Sequence, residues 1–506
     1  MLGLGLLGGG IATTNWLAKL GAKVTVTDLK TEQQLASSIK RIKGDVRFHL
    51  GGHTEEDINH NDIIVINPDI SYKNRYVKLA RELGKLVENE ATLFYRFARH
   101  PIIGVTGTRG KTTTTNWIKT LLDARYTAVV AGNSPSHPLL KVLETVNRAG
   151  NRRHSPAPAD QRGSVRIVNE IPSFHLELFD ANLVPARSPD IAVITNLYRD
   201  HMNRYQSLEE YAGAKANIFA HQTAVQHLIL NHDNDWTPFF LGKAPCSTVW
   251  LFSTSSLPVG SRGVFLNQGA VYFQTGAASA KSVLAERVLD VAEFGKELGQ
   301  HNIENLLPSA LAAHLSGVSW SEIGERLSAL RGVPFRQETI LENERIKVVN
   351  DTTATTPEGC IAAVKRFGDA ECVLIAGGTD GNLEYTDWGE TIPKYIKPEN
   401  LILLSGSATN KMIQALAARS ANPAEDTLPD LADFSQQSAD VKGTLIVRDT
   451  LLDCIRTALA TASKYPRSVL LFSPAAKSFE KFKNEMDRGK RFNKLIAREL
   501  KKSTKP

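Results

Sequence analysis

The chain has 506 residues, more than one hydrophobic core usually serves, and ordinary domain sizes suggest about three domains. With 42% hydrophobic and 22% charged residues, its composition is that of an ordinary soluble globular protein. The formal net charge of +7 favours anionic ligands. The four cysteines form no CxxC pair, which argues against a disulfide framework and against a thiolate zinc site.

The sequence lacks signals for export or membrane insertion. No apolar segment is long enough to span a bilayer, and residues 1–12 lack the basic start and cleavage site of a signal peptide. The basic clusters within residues 148–166 and 477–505 have no interleaved aromatic side chains, so we interpret them as solvated faces. We therefore expect a cytoplasmic protein that binds neither membrane nor nucleic acid, and we take it to be a monomer.

The first segment, residues 1–99, begins with three glycines in the pattern GxGxxG, Gly3, Gly5 and Gly8, and Asp28 ends the strand that follows. This is the fingerprint of a dinucleotide-binding loop. Strand-like and helical runs alternate to the end of the segment, which predicts a Rossmann-like domain. Only two residues precede the first glycine, so either the first strand is abbreviated or the start codon lies upstream.

The sequence GVTGTRGKTTTT at residues 104–115 carries the clearest functional signal. An apolar run predicts a strand before it, and apolar residues at helical spacing predict a helix after it. Gly107 and Gly110 let backbone N–H groups point inward, Lys111 offers a cation to nucleotide phosphates, and Thr112 offers a hydroxyl to Mg²⁺. The glycine spacing differs from that of an ordinary P-loop. The alternative is a glycine-rich turn that only caps a helix.

The same alternation of strands and helices predicts two further α/β domains. Residues 100–332 form the expected central P-loop ATPase domain with a mainly parallel sheet, and residues 147–166, rich in Pro, Gly, Arg and Ser, are interpreted as a surface insertion. Residues 333–506 form the expected Rossmann-like C-terminal domain. Its predicted strands are residues 347–350, 372–376, 401–405, 445–447 and 469–473.

Three polar residues of the central domain suggest a charged ligand. Glu170 and His201 follow predicted strands, and ligand crevices lie at the carboxyl ends of parallel strands. Lys215 lies about two turns into a helix that Ser207 begins. Taken singly, His201 and Lys215 would be an ordinary loop histidine and a solvated lysine. Together they fit a Mg²⁺ site, with Asp200 as an alternative to His201, if CO₂ has turned the Lys215 amine into a carboxylate.

The motifs of the chain resemble those of the Mur ligase family from about residue 3 to residue 500. They are GTRGKTT at 107–113, NEIPSFHLE at 169–177, NLYRDHMNRY at 196–205, AKANIF at 214–219, GQHNIEN at 299–305, GVPFRQE at 332–338, NDTTATTPEG at 350–359 and SPAAKSFEKFKNEMDRG at 473–489. The resemblance implies three domains and an ATP- and Mg²⁺-dependent ligase of peptidoglycan precursor synthesis. It implies that D-glutamate is joined to UDP-MurNAc-L-Ala through an acyl phosphate, with release of ADP and phosphate.

The resemblance also implies roles for individual residues. The implied catalytic residues are Lys111, Glu170, His201 and Lys215, the last as a carbamylated lysine. The implied metal ligands are Thr112, Glu170, His201 and Lys215. ATP is assigned to Gly107, Thr108, Arg109, Gly110, Lys111, Thr112, Thr113, Asn302, Arg336 and Asp351. The UDP-substrate is assigned to Gly5, Gly8, Asp28, Asn133 and Ser173, and the amino acid to Thr353, Thr355, Lys477 and Ser478.

Several positions depart from the family pattern. Residues 352–355 read TTAT where Ser-Lys-Ala-Thr is usual, and the glycine loop at 377–382 lacks its usual basic residue. Lys477 stands before Ser478 where alanine is usual, so it is our candidate for the missing cation; the alternative is a solvated lysine of a basic region. The other departures are Pro172, His175 and Glu485.

Three other functions stay open on the sequence. The first is a Mur-type ligase that adds a different amino acid or lengthens a folate-like glutamate tail, although the first domain argues against the folate enzyme. The second is a binding protein that has kept the fold and lost turnover. The third is a dinucleotide-dependent oxidoreductase, which rests on the GxGxxG pattern alone.

Overall fold

The computed structural model contains two compact units, Met1–Arg331 and Gly332–Pro506. It describes every residue except 7–8, 133–137, 152–162, 180–186, 203, 245–246, 277–284, 333, 369–370, 382, 421–444 and 504–506. Within the described residues, no helix is long and apolar enough to cross a membrane. A further division of the first unit after residue 99 stays a prediction.

The first part of unit 1 alternates short parallel strands with helices. Its elements are α1 (Gly9–Lys19), β1 (Val24–Asp28), α2 (Glu32–Ile39), β2 (Val46–Leu50), α3 (Glu56–Asn59), β3 (Ile63–Val65), α4 (Arg75–Glu82), β4 (Leu86–Glu88) and α5 (Glu90–Phe97). Strand β1 pairs in parallel with β2, and β3 with β4. Leu2 forms parallel bridges to Thr27 and Ile66 and so joins the two pairs. Leu2 thus lies at the position of a strand between β1 and β3.

The second part of unit 1 is built on a sheet of nine described strands. The strands are β5 (Ile102–Thr106), β6 (Thr127–Gly132), β7 (Val165–Glu170), β8 (Ile191–Ile194), β9 (His227–Asn231), β10 (Thr248–Ser253), β11 (Arg262–Asn267), β12 (Ala270–Thr275) and β13 (Glu286–Asp290). The helices are α6 (Lys111–Leu122), α7 (Leu139–Asn151), α8 (Ser173–Leu176), α9 (Leu208–Ala216), α10 (Thr237–Lys243), α11 (Ala292–Leu298), α12 (Gln300–Leu315) and α13 (Trp320–Glu325).

The strand order confirms the expected mainly parallel sheet. It is β13-β12-β11-β10-β9-β8-β5-β7-β6, and β12 runs in the opposite direction to the other eight strands. Strand β5 lies between β7 and β8, so the carboxyl ends of these three strands meet at one edge. The loops that follow them carry most of the candidate site residues.

Apolar residues on both faces of β5 bury this strand completely. Ile103 and Val105 share a core with Trp117 of α6 and Leu307 of α12, whereas Ile102 belongs to the core on the opposite face. Such two-sided burial is typical of a central parallel strand. It gives the glycine loop between β5 and α6 two rigid attachment points.

Unit 2 contains a second α/β sheet, of six described strands. Its elements are β14 (Glu338–Glu342), β15 (Ile346–Asn350), α14 (Pro357–Phe367), β16 (Cys372–Gly377), α15 (Thr386–Thr391), β17 (Leu401–Leu404), α16 (Ser407–Ser420), β18 (Ile446–Arg448), α17 (Leu451–Ala462), β19 (Ser468–Phe472) and α18 (Glu485–Ser503). The order is β14-β15-β19-β16-β17-β18, parallel except for β14. The five predicted strands are confirmed as β15 to β19; β14 was not predicted.

Three of the four cysteines lie in the described part of the chain. Cys360, Cys372 and Cys454 are free and buried. Cys246 lies outside the described residues.

Candidate active site

The glycine loop after β5 needs glycine at two positions for steric reasons. Gly107 and Gly110 have φ angles of +149° and +82°, which side-chain-bearing residues rarely adopt. A Cβ atom at position 107 would overlap Thr195 Oγ1, and one at position 110 would overlap Asn305 Oδ1. The loop backbone is therefore in direct contact with the side chains of Thr195, directly after β8, and of Asn305 in α12.

The segment after β8 holds this loop by hydrogen bonds. Asn196 accepts the backbone N–H of Thr108 at its carbonyl oxygen, at 3.0 Å, and that of Arg109 at Oδ1, at 2.8 Å. The Thr195 hydroxyl donates to the Arg109 carbonyl oxygen at 2.6 Å. Because two N–H groups are used in this way, those from Gly110 onward at the start of α6 are better placed for phosphate oxygens.

Two lysines converge on one carbonyl oxygen of the loop. Lys111 Nζ donates to Gly107 O at 2.9 Å and to Thr108 O at 3.0 Å, and Lys215 Nζ donates to Gly107 O at 2.8 Å. Lys215 is buried, and its Nζ lies 4.5 Å from the ring centre of Tyr211. Burial first, and then the charge of Lys111, hold the pKa of Lys215 well below its ordinary value. Lys215 is therefore more easily deprotonated here than an exposed lysine would be.

The candidate metal ligands lie in two pairs. The Thr112 hydroxyl donates to Glu170 Oε1 at 3.0 Å, at the carboxyl end of β7. His201 and Lys215 both contact the ring of Tyr211; the rings of His201 and Tyr211 lie 6.0 Å apart. Within the described residues, no three His, Cys, Asp or Glu side chains converge as a metal site. The hydroxyl and carboxylate oxygens of the first pair are nevertheless donors that suit Mg²⁺.

The Asp28 carboxylate accepts hydrogen bonds from backbone N–H groups of the first glycine loop. Its Oδ2 accepts the backbone N–H of Leu4 at 2.8 Å and of Gly5 at 3.1 Å, and its Oδ1 accepts that of Lys30 at 2.9 Å. In a dinucleotide site, an acidic residue here would bind the ribose. Because both oxygens are engaged, the geometry does not favour the oxidoreductase. Gly8 and Asn133, assigned to the UDP-substrate, lie outside the described residues.

Two residues near the candidate substrate site have unusual surroundings. Ser173 is buried at the start of α8. His175, two residues later, is buried, and neither ring nitrogen has a partner among the described residues. Burial lowers the pKa of His175 to about 3, so its ring is neutral at physiological pH. Pro172 lies just before α8 at its N-cap position.

Three further residues assigned to ATP lie in different units, one in unit 1 and two in unit 2. Asn302, in unit 1, donates to the Leu298 carbonyl oxygen at 2.8 Å. In unit 2, Arg336 is exposed and Asp351 is buried. Asp351 Oδ2 accepts from the Ser473 hydroxyl at 2.7 Å, and burial raises its pKa to about 7.

In unit 2, Lys477 occupies the space that Gly381 leaves open. A Cβ atom at position 381 would lie 3.0 Å from both Cγ and Cε of Lys477. The neighbouring Ser478 is buried, and its Oγ has no partner among the described residues. Thr353 Oγ1 donates to the Phe335 carbonyl oxygen at 2.9 Å. Thr355 is half-buried, and its backbone N–H donates to the Thr353 carbonyl oxygen at 2.9 Å.

Arg488 ties these segments together. Its side chain is fully buried, and its Nε donates to Thr352 Oγ1 at 2.9 Å. The other donors reach the carbonyl oxygens of Thr352, Ala476 and Lys477 at 2.8 to 3.1 Å. Burial lowers its pKa to about 10, so it stays charged. Its N–H groups are used within the protein, and it places a positive charge close to the Lys477 and Ser478 backbone.

Two family descriptions match the chain: "Mur ligase MurD-like, N-terminal domain" over residues 1–88 and "Mur ligase middle domain" over residues 105–313. A UDP-N-acetylmuramoylalanine--D-glutamate ligase of Roseiflexus sp. (strain RS-1) is 32% identical over 505 residues, covering 98% of this chain and 97% of the relative. The enzyme of that name from Caldanaerobacter subterraneus subsp. tengcongensis is 32% identical over 496 residues, with coverage of 98% and 96%. The chain belongs to the MurD family of Mur ligases.

Solved structures of Mur ligases share the fold. UDP-N-acetylmuramate-alanine ligase MurC from Thermotoga maritima gives a TM-score of 0.52 at 18% identity and covers 100% of this chain and 99% of its own. MurF ligase from Thermotoga maritima in complex with ADP gives 0.51 at 15% identity, with coverage of 96% and 98%. These likenesses confirm the α/β Mur ligase fold expected from the sequence.

Sequence reasoning missed two asparagines of the site, Asn196 and Asn305. Asn196 holds the glycine loop, and Asn305 donates to Asn302 Oδ1 at 3.1 Å while packing on Gly110. The available signals were the position of Asn196 directly after a predicted strand and the i, i+3 spacing of Asn305 from Asn302 on one helix.

Proposed function

We propose that the protein is an ATP-dependent ligase that joins D-glutamate to UDP-MurNAc-L-Ala and releases ADP and phosphate. The observation that carries this proposal is the glycine loop, on which Lys111, Lys215, Thr112 and Glu170 converge. The two 32%-identical relatives are named as ligases of UDP-N-acetylmuramoylalanine and D-glutamate, which supports the choice of substrates. The ADP in the Thermotoga maritima MurF structure supports the choice of nucleotide.

In the proposed first step, a carboxylate oxygen of the L-alanine end attacks the γ-phosphorus of ATP. The bond to the β,γ-bridging oxygen breaks, and ADP leaves with that electron pair. Lys111 would turn from the Gly107 and Thr108 carbonyl oxygens to the phosphates and stabilise the charge of the transferring group. Mg²⁺, when bound, would neutralise phosphate charge, and Thr112 and Glu170 would hold it.

In the second step, the amine of D-glutamate attacks the acyl phosphate carbon and displaces phosphate. The amine must lose a proton for the amide to form. The phosphate that leaves takes the electron pair of the broken C–O bond. An oxygen of the leaving phosphate can accept the amine proton, so the step balances.

We propose that Lys215 is carbamylated. Carbamylation joins the neutral amine nitrogen to the carbon of CO₂ and releases one proton, so it needs an uncharged lysine. Burial and the nearby Lys111 charge favour that form. The resulting carboxylate would offset the Lys111 charge and offer oxygen donors toward the metal, which an ammonium group cannot.

We propose that Lys477 supplies a cation to one carboxylate of D-glutamate. A site that buries an anion needs donors, preferably charged ones. The Lys477 stem lies where a side chain at position 381 would otherwise be, and Ser478 Oγ is buried without a partner. Thr353 and Thr355 would add weaker hydroxyl contacts.

The deciding experiment measures ADP release with UDP-MurNAc-L-Ala, ATP, Mg²⁺ and a panel of D- and L-amino acids. Release that requires D-glutamate supports the proposal. ADP release with a different amino acid alone would make the protein a different Mur-type ligase. No ADP release with any amino acid would favour a binding protein without catalytic activity. Lys111→Ala protein purified in parallel controls for contaminating ATPases. The cytoplasmic location and monomeric state remain predictions.

A further inference from the structure

A buried network of three side chains lies between the candidate substrate and metal sites. The Glu177 carboxylate accepts Arg204 Nε at 2.6 Å, Arg204 Nη2 at 2.7 Å and the Tyr205 hydroxyl at 2.8 Å. The Glu177 side chain is only 2% exposed and that of Arg204 17%. We call Glu177, Arg204 and Tyr205 the Glu177 clamp. Its two-pronged charged contact fixes the guanidinium orientation more tightly than a surface ion pair would.

One end of the clamp reaches the first glycine loop. Arg204 Nη1 donates to the Pro68 carbonyl oxygen at 2.8 Å, and Nη2 approaches that of Ile70 at 3.4 Å. These carbonyls belong to a turn closed by the bond from the Ile70 N–H to Asn67 O, at 2.9 Å. The turn packs on the glycine loop so closely that a Cβ at Gly5 would lie 3.1 Å from Asn67 Nδ2. Arg204 therefore supports the surface that the UDP-substrate is proposed to contact.

The other end of the clamp holds His201. The backbone N–H groups of Arg204 and Tyr205 both donate to the His201 carbonyl oxygen, at 2.9 and 3.1 Å. His201 has a φ of +57°, a conformation that a residue with a side chain keeps only when its surroundings impose it. A displacement of the clamp would thus move His201 and the UDP-substrate contacts together.

We propose that Arg204 is a positioning residue that couples binding of the UDP-substrate to the placement of His201. This inference rests on the proposed function, since it concerns two parts of that site. It assigns the clamp a role in binding that a purely structural ion pair would lack. Lys19 of α1 and Glu144 of α7 form another ion pair, at 2.7 Å, between the first and second parts of unit 1. This pair is exposed, so it offers a matched control.

The test measures binding of UDP-MurNAc-L-Ala by calorimetry, without ATP, and then the KM values and the Mg²⁺ dependence of ADP release. In Arg204→Gln we expect the Kd and KM for UDP-MurNAc-L-Ala to rise by about tenfold, because the charged contacts that hold the Pro68 turn are lost. The Mg²⁺ concentration for half-maximal rate should also rise. The KM for D-glutamate should stay unchanged. Arg204→Lys should restore only part of the affinity, because an ammonium group cannot reproduce the two parallel hydrogen bonds of the guanidinium to Glu177.

Tyr205→Phe keeps the ion pair and removes one hydroxyl, so it provides a folded variant if Arg204→Gln does not fold. We expect a smaller loss of UDP-substrate affinity in the same direction. Lys19→Ala should bind as the parent does. If folded Arg204→Gln or Tyr205→Phe shows the affinity of an active parent, with only a lower Tm, the clamp is structural and the inference fails. A parent that releases no ADP with any amino acid overturns the proposed function instead.

Discussion

Lys111 and Lys215 donate to the same carbonyl oxygen, that of Gly107, although they come from different helices. Two ammonium groups so close would repel each other strongly where water is scarce. Burial, together with the Lys111 charge, lowers the pKa of Lys215 and so eases the loss of its proton. One lysine is thereby suited to phosphate charge and the other to carbamylation.

We expect Lys111→Ala to lower the rate of ADP release by at least about a hundredfold without loss of the fold. A preorganised charge at a transition state is commonly worth about 3 kcal/mol, which corresponds to that factor. The measurements are ADP production and the thermal midpoint of the same preparation. Near-parental turnover in a folded variant would contradict the assignment of the glycine loop to ATP.

We expect Lys215→Ala to be nearly inactive and to regain part of its activity when a short carboxylate such as acetate is added. The added anion would replace the carboxylate group that carbamylation is proposed to place on Lys215. Incubation with ¹³CO₂ should give a carbamate NMR signal in the parent that the variant lacks. Full activity of the folded variant without any added carboxylate would reject the proposal.

We expect Lys477→Ala to raise the KM for D-glutamate about tenfold or more while the KM for ATP changes little. The reason is the loss of a charge-assisted contact to one carboxylate. Initial rates at varied D-glutamate and varied ATP give both constants. The exposed Lys490, in the same basic region, provides the matched control Lys490→Ala, which should behave as the parent.

Gly381→Ala tests the same contact from the other side. The new Cβ would lie 3.0 Å from Lys477 Cγ and Cε and should push this side chain aside. The KM for D-glutamate should therefore rise, and adding Lys477→Ala should change it little further. Parental D-glutamate kinetics in Lys477→Ala would refute the compensating-cation proposal and direct attention to Lys483, because the N–H groups of Arg488 are already bonded within the protein.

At the scale of elements, helix α5 joins two neighbouring helices through its first turn. Asn89 caps α5, and its Nδ2 donates to the His175 carbonyl oxygen of α8 at 2.9 Å. Glu90, the next residue, accepts the backbone N–H groups of Leu139 and Leu140 at the start of α7. A carboxylate at a helix N-terminus is normally stabilising, yet burial raises the pKa of Glu90 to about 7.

This raised pKa predicts a pH-dependent stability. Between its unfolded pKa of 4.5 and its folded pKa of about 7, Glu90 binds its proton more tightly in the folded state. Its contribution is therefore fully present below pH 4.5 and lost as the pH rises toward 7, by at most about 3 kcal/mol. Glu90→Gln should be more stable than the parent at pH 8, and the difference should shrink near pH 5.

Urea unfolding of parent and variant at both pH values measures the effect. The exposed Glu82 on α4 supplies the control Glu82→Gln, which removes one carboxylate from the surface instead of from a buried position. A Glu90→Gln variant less stable than the parent at pH 8 would show that the charged carboxylate is the favoured form.

At the scale of the whole molecule, each of the two units has its own hydrophobic cores. In unit 1, cores cover both faces of β5, and in unit 2 two cores cover the faces of the sheet around β16 and β19. The fold is shared with MurC at only 18% sequence identity. This is expected, because buried parallel strands need apolar side chains of roughly the right size and not particular residues. The division into compact units follows from the separate cores.

Local patterns in the sequence were sufficient for the family, the fold class and the glycine loop. Strands such as 372–376 are apolar runs whose burial is a local property, and Gly107 and Gly110 are required by backbone angles of the loop itself. Lys111, Thr112, Glu170 and Lys215 could be selected because they stand in motifs with a known spacing. Their meeting at one edge followed from parallel strand order.

Contacts between distant segments were decided only by the tertiary structure. Nothing near Asp28 in the sequence indicates that its carboxylate would bind the glycine loop's own N–H groups, and nothing near Arg204 indicates its bond to Pro68. The physical reason is that hydrophobic periodicity and glycine requirements act within a few residues. The partner of a buried polar group, by contrast, depends on which strands and turns the fold brings within hydrogen-bonding distance.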